Sequence, residues 1–144
     1  MPEQADCAFC RIAAGEEDAA WVVLDEPHAV AFLDHRPLFP GHCLLIPRHH
    51  HETLADLPAD EIKPFFATVQ LLSRAIPDAM KKPGSFVAMN NVVSQSVPHL
   101  HVHVVPRKPK DGLRGFFWPR HKYESDEQRD ATRDAIRAAL EGLR

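Results

Sequence analysis

Histidines at positions 99, 101 and 103 alternate with Leu100, Val102 and Val104. In an extended chain, residues two apart share a face with a spacing of about 6.6 Å. The imidazoles then form one row, and the aliphatic side chains anchor the opposite face. Three imidazoles side by side cannot all be charged without penalty, because like charges repel and burial disfavours each cation. They are expected to titrate as a coupled set, with at least one ring neutral and nucleophilic and another able to stay protonated and hold a phosphate oxygen. Imidazole suits attack at phosphorus: it is substantially unprotonated at neutral pH, and the bond it forms is labile enough for water to cleave. On spacing alone metal binding is an equal alternative, since many metal hydrolases place two histidines this way. No carboxylate follows in the strand, where Val104 and Val105 come next, which argues against a dinuclear hydrolase.

Two further groups could do chemistry. Cys7 and Cys10 form a CxxC that reads as half a zinc site, a redox pair or chance. A thioredoxin-like role is disfavoured because no strand precedes the motif. A tetrahedral zinc needs two more ligands, and neutral histidine is the usual complement to two thiolates. His49, His50 and His51 form the second histidine cluster; His49 and His51 are expected to face solvent. His28, His42 and His121 read as surface or already satisfied groups, and Cys43 as a small buried apolar residue.

The elements that must position these groups can be read from periodicity and turn residues. Residues 7–14 form a helical turn, followed by strands over Trp21 to Leu24 and His28 to Leu33, which make a hairpin. Asp34 to Gly41 is a loop, and His42 to Ile46 a third strand. Ile62, Phe65, Phe66, Val69, Leu72 and Ile76 show helical spacing. That helix is predicted to begin near Asp60, keeping Pro64 in its first turn, and to end before Pro77. Phe86 to Met89 and His99 to Val105 are the fourth and fifth strands, the latter ended by Pro106. Ser125 and Gln128 have capping-box spacing before a short helix bearing Ile136, Leu140 and Leu143. Strands, one long helix, two more strands and a terminal helix predict an α+β fold with an antiparallel sheet of about five strands.

With 144 residues, 44% of them hydrophobic and 26% charged, the chain is predicted to be one domain over 1–144, with a core over 7–107 and a basic loop and C-terminal helix over 108–144. The net charge of -3 points away from nucleic-acid and membrane partners. No apolar run approaches the roughly 18 residues of a membrane span. The first ten residues hold no hydrophobic leader core, and three cysteines make no disulfide framework, so the expected compartment is the cytoplasm. The basic stretch Arg107 to Lys122 reads as a solvated loop or a polyphosphate-contacting lid, and Trp118 as a core anchor or a cover for a partner's pocket.

The segment Gln95-Ser96-Val97-Pro98-His99-Leu100-His101-Val102-His103-Val104-Val105 resembles the signature of the histidine-triad (HIT) superfamily of nucleotide hydrolases and transferases. Cys7 to Ile12, Phe32 to Pro37, Pro40-Gly41-His42 and Ile46 to His50 extend the resemblance, which is greatest to bacterial members near the Fhit and Hint branches. It implies a homodimer and nucleotidyl transfer from an AMP-type purine nucleotide, a phosphoramidate or a dinucleoside polyphosphate, through a covalent adduct on His101. His103 would bind the phosphate, Gln95 and Ser96 would contact the phosphate or leaving group, and Asp34 would take the ribose hydroxyls. Phe9, Ile12 and His35 would wall the nucleoside pocket, and Asn91, ahead of Asn90, matches the family asparagine. The resemblance also implies a structural zinc on Cys7, Cys10, His50 and His99, with His49 or His51 as substitutes for His50. Where relatives carry glycine before the Gln, this chain has Ser94, in a shorter loop. A nucleotide-binding regulatory protein with negligible turnover is the alternative function, and a histidine-rich metal binder a third.

Overall fold

The apolar runs Ala29–Leu33 and Cys43–Pro47 are buried almost throughout, the pattern of strands covered on both faces. They form β2 (Ala29–Leu33) and β3 (Cys43–Pro47) in a sheet with β1 (Val22–Asp25), β4 (Gly84–Ala88) and β5 (Val102–Arg107). The structure is a computed structural model describing residues 5–113 and 119–144. Every pairing in the five-stranded sheet is antiparallel, in the order β1-β2-β3-β5-β4. This is the α+β class the sequence predicts. The chain divides into two compact units, Met1–Asp111 and Gly112–Arg144. The sheet, α1 (Ala8–Ala13) and α2 (Ala59–Met80) belong to the first, and α3 (Asp126–Leu143) to the second.

Each face of the sheet has its own apolar layer. Ala29, Ala31, Cys43, Leu45, Val102 and Val104 pack with Phe65, Val69, Leu72 and Ile76 of α2. Val30, Phe32, Leu44 and Ile46 pack with Phe9 and Ile12 of α1. The second layer is the thinner one, and on its side His99 and His101 are buried while His103 is partly exposed.

The prolines misled the expected boundaries. α2 contains both Pro64, in its second turn, and Pro77, and ends only at Met80. Each proline removes one backbone bond, but Phe65, Val69, Leu72, Ile76 and Pro77 are buried on one side of the helix, and tertiary packing outweighs the missing bonds. Similarly, β5 starts at Val102 rather than His99 and runs through Pro106. Its pairing to β3 stops at Val104, so Pro106 lies where β5 is paired only with β4, a position that tolerates proline. Leu100, Val102 and Val104 still fill the α2 side, so the alternation inferred for the histidines survives the shift.

In the second unit α3 is eighteen residues long, not short. Ser125 caps it by accepting the Gln128 N–H at 3.0 Å. Ile136, Leu140 and Leu143 are exposed, and the ion pairs Arg129–Asp126 and Arg133–Asp130 add a few tenths of a kcal/mol each. The roles considered for Trp118, and for Arg114 of the basic stretch, lie outside the described residues.

Candidate active site

β3 pairs Leu44 with His103, and β2 pairs Phe32 with Leu44. Directly opposed residues share a sheet face, so His103 projects on the α1 side. The Phe9 ring stands edge-on to Phe32 at 5.3 Å and to His101 at 5.1 Å. Between α1, the sheet and the segment before β5 lies a cleft of about 290 Å³, lined by Phe9, Ile12, Asp34, His35, Ser96, His101 and His103 among others. Trp21 packs beside His35, with ring centroids 4.3 Å apart.

Hydrogen bonding gives the two cleft histidines different tautomers. Nδ1 of His101 lies 2.8 Å from the carbonyl oxygen of His99. A carbonyl only accepts, so this nitrogen carries the hydrogen, and in the neutral ring Nε2 keeps the lone pair. The Leu38 N–H donates to Nδ1 of His42 at 3.0 Å. A neutral His42 therefore has its hydrogen on Nε2, which lies 3.0 Å from Nδ1 of His103. His103 accepts there and bears its own hydrogen on Nε2.

The electrostatics agree. Burial lowers the pKa of His42, against the opposing pull of the Asp34 carboxylate at 3.5 Å. Burial, helped by His101 and His42 and opposed by Asp34, lowers that of His103 to about 4. A neutral N–H donor, not an imidazolium, therefore stands at position 103.

The CxxC faces the other side of His99. Sγ of Cys7 caps α1 by accepting the Cys10 N–H at 3.4 Å. Cys7 Sγ is 3.4 Å from Nδ1 of His99, and Cys10 Sγ is 3.2 Å from Nδ1 of His50 and 3.4 Å from Nδ1 of His99. Tetrahedral zinc, with bonds of about 2.3 Å to sulfur and 2.0 Å to nitrogen, holds such donors roughly 3.5 Å apart. The four donor atoms lie within 4.8 Å of one another. His99 donates from Nε2 to the Pro47 carbonyl at 2.8 Å, leaving Nδ1 free to ligate. Burial, with Cys7 beside it, pushes the Cys10 thiol up to about 12. Burial, with His50 and His101 nearby and the Pro47 carbonyl opposing, lowers His99 to about 4. A cation at the centre reverses the preference of a thiol for its neutral form, so the donor set fits zinc.

The sequence matches the HIT domain over residues 15–110. The chain belongs to the HIT family. It is 30% identical over 133 residues to an adenosine 5′-monophosphoramidase of Candida albicans, covering 88% of this chain and 87% of that protein. A HIT family protein from Bacillus subtilis superposes with a TM-score of 0.83 at 33% identity, covering 92% of this chain and 96% of the other. A zinc-bound histidine triad family protein from Mycobacterium smegmatis does so at 0.71 and 30%, covering 98% and 99%.

In this HIT chain the predicted residues separate into those that reach the cleft and those that support it. Phe9, Ile12, Asp34, His35, Ser96, His101 and His103 line it together. Gln95 and Asn91 do not. Gln95 accepts the Val92 N–H and donates to the Glu52 carbonyl, and Asn91 accepts the Leu54 N–H. Both hold the loop before the triad against the segment after β3. Ser94 has φ 63° and Val92 φ 70°, left-handed values that glycine adopts most easily. His42, expected to be only a satisfied neighbour, is the residue the sequence reading missed. Its signal was the β3 pattern, since His42, Leu44 and Ile46 alternate with the α2-facing residues.

Proposed function

We propose that this HIT protein is a nucleotide hydrolase or nucleotidyl transferase that cleaves a nucleoside 5′-phosphoramidate, a dinucleoside polyphosphate or a related nucleotidyl ester at the α-phosphate. The observation carrying this reading is the pair of opposed tautomers in one cleft: a lone pair on His101 Nε2 beside an N–H on His103 Nε2. His101 Nε2 forms a bond to the α-phosphorus while the bond from phosphorus to the leaving group breaks, its electron pair departing with that group, which takes up a proton from solvent where it leaves as an amine. The Nε2–H of His103 and the hydroxyl of Ser96 donate to phosphoryl oxygens as charge builds on them. Water then attacks the same phosphorus and gives up a proton to solvent, releasing the nucleoside monophosphate and restoring neutral His101. Phe9 and Ile12 supply an apolar wall for the base, Asp34 accepts from the ribose hydroxyls, and His35 closes the pocket. Gln95 and Asn91 act as positioning residues through the loop they hold.

Cys7, Cys10, His50 and His99 would hold a zinc ion whose four positions are all filled by protein, the arrangement of a structural rather than a catalytic site. With zinc bound there, Cys7 and Cys10 would tie α1 to His99, whose carbonyl orients His101. The resemblance to an adenosine monophosphoramidase favours a purine nucleotide as substrate.

The test is turnover of adenosine 5′-phosphoramidate by the wild type, His101→Ala and His49→Ala. Loss of hydrolysis in His101→Ala with retention in His49→Ala is expected. Equal activity in both variants contradicts the assignment.

A further inference from the structure

We infer that His49, His51 and Glu61 form a second metal site, for a divalent first-row transition ion, separate from the cysteine centre and independent of the nucleotide chemistry. In an extended segment successive side chains alternate in direction. His50 turns toward Cys10, its Nδ1 3.2 Å from the sulfur, whereas His49 and His51 come together at one carboxylate. Their ring centroids are 6.5 Å apart, close to the roughly 6.6 Å between alternate residues of an extended chain. Facing them is Glu61, in the first turn of α2.

That carboxylate serves both rings. Oε1 lies 3.3 Å from Nδ1 of His49, and Oε2 lies 3.0 Å from Nε2 of His51. The three residues bring their donor atoms within 4.8 Å of one another. Donors sharing one ion at about 2.1 Å stand roughly 3.0–3.4 Å apart, the range of the two imidazole–carboxylate separations here. Two imidazoles and a carboxylate suit zinc, cobalt, nickel or copper and not calcium, which takes oxygen donors alone. The His51 and Glu61 side chains are mostly covered, at 17% and 21% exposure, while His49 is 73% exposed. Two ligands are thus pre-positioned, and the open side leaves the remaining coordination positions to water. Three protein ligands with an open side bind more weakly than the closed four-ligand centre.

The site adjoins backbone on which the segment before β5 rests. The Leu100 N–H donates to the His51 carbonyl at 2.7 Å, and the Gln95 side chain donates to the Glu52 carbonyl at 2.6 Å.

The experiment is calorimetric titration of Ni²⁺ into protein already loaded with one equivalent of zinc, comparing the wild type with Glu61→Gln and with His49→Asn, an exposed change that leaves the fold intact. Zinc content is measured before and after. One Ni²⁺ per chain in addition to the retained zinc is expected, with affinity at least tenfold weaker in each variant. Absence of nickel binding in the wild type, equal binding in wild type and both variants, or nickel that only displaces zinc overturns the site.

Discussion

His101 and His103 are the same residue type two positions apart, yet their partners give them opposite polarity. The difference comes from what each Nδ1 meets: a carbonyl oxygen for His101 and an imidazole N–H for His103. His42 is therefore a positioning residue. Replacing it by alanine removes the hydrogen that fixes the His103 tautomer and is expected to lower kcat by roughly 10²-fold or more, with a smaller change in KM, in steady-state assays on a nucleoside phosphoramidate. Equal kcat would show that His103 orients itself. Burial also makes His103 a source of acid sensitivity. His103 is neutral in the folded chain down to about pH 4, whereas in the unfolded chain it protonates near its ordinary value of about 6.5. Between those values the unfolded state binds more protons, so stability is complete above about pH 6.5 and is lost as pH falls toward 4. Denaturant midpoints at pH 7 and pH 5 should show this loss, and His103→Gln should reduce it. A pH dependence identical in the wild type and the variant would contradict the burial argument.

At the scale of elements, two short pieces, α1 and the segment before β5, carry most of the site and little of the apolar core. Their joint is the cysteine centre. Cys10→Ser should remove bound zinc and lower stability by about 3 kcal/mol or more, roughly 10 °C in Tm for a chain of this size. Metal analysis and a melting curve check both outcomes. Phe65, 1% exposed under the sheet, gives the contrasting case: Phe65→Ala should cost about 3–5 kcal/mol while the zinc content stays unchanged. The elements themselves were largely legible. Alternation around Leu100, Val102 and Val104, the helical spacing from Phe65 to Ile76 and the cap at Ser125 each led to the observed structure. Pro64, Pro77 and Pro106 misled because proline acts locally, while burial against a sheet, which decides whether a helix or strand continues past it, is not a local property. His42 was missed for a related reason. Its meaning depends on β3 lying beside β5, and 61 residues of sequence separate it from His103.

For the whole molecule, the sheet order leaves β1 and β4 as edge strands, and β4 exposes Val87. β1 likewise exposes Val23; an open edge of this kind pairs readily with another strand, and we propose that a second copy joins at one of these edges to form a homodimer. Light scattering should then give twice the chain mass, and a monomer at micromolar concentration would contradict it. Among the described residues no helix is long and apolar enough to cross a membrane. With a net charge of -3 the chain offers an anionic substrate no long-range attraction, so recognition falls to the neutral donors inside the cleft. Everything proposed for the activity rests on the His101 lone pair. Mixing enzyme with adenosine 5′-phosphoramidate, quenching with alkaline denaturant within the first turnover, where a phosphorus–imidazole bond persists, and mapping the peptides without acid exposure by tandem mass spectrometry tests it most directly. The account predicts one adenylyl group, on the peptide containing His101 and localised to that residue. An adduct on His99 or His103, or full turnover with no adduct at any quench time, would contradict it.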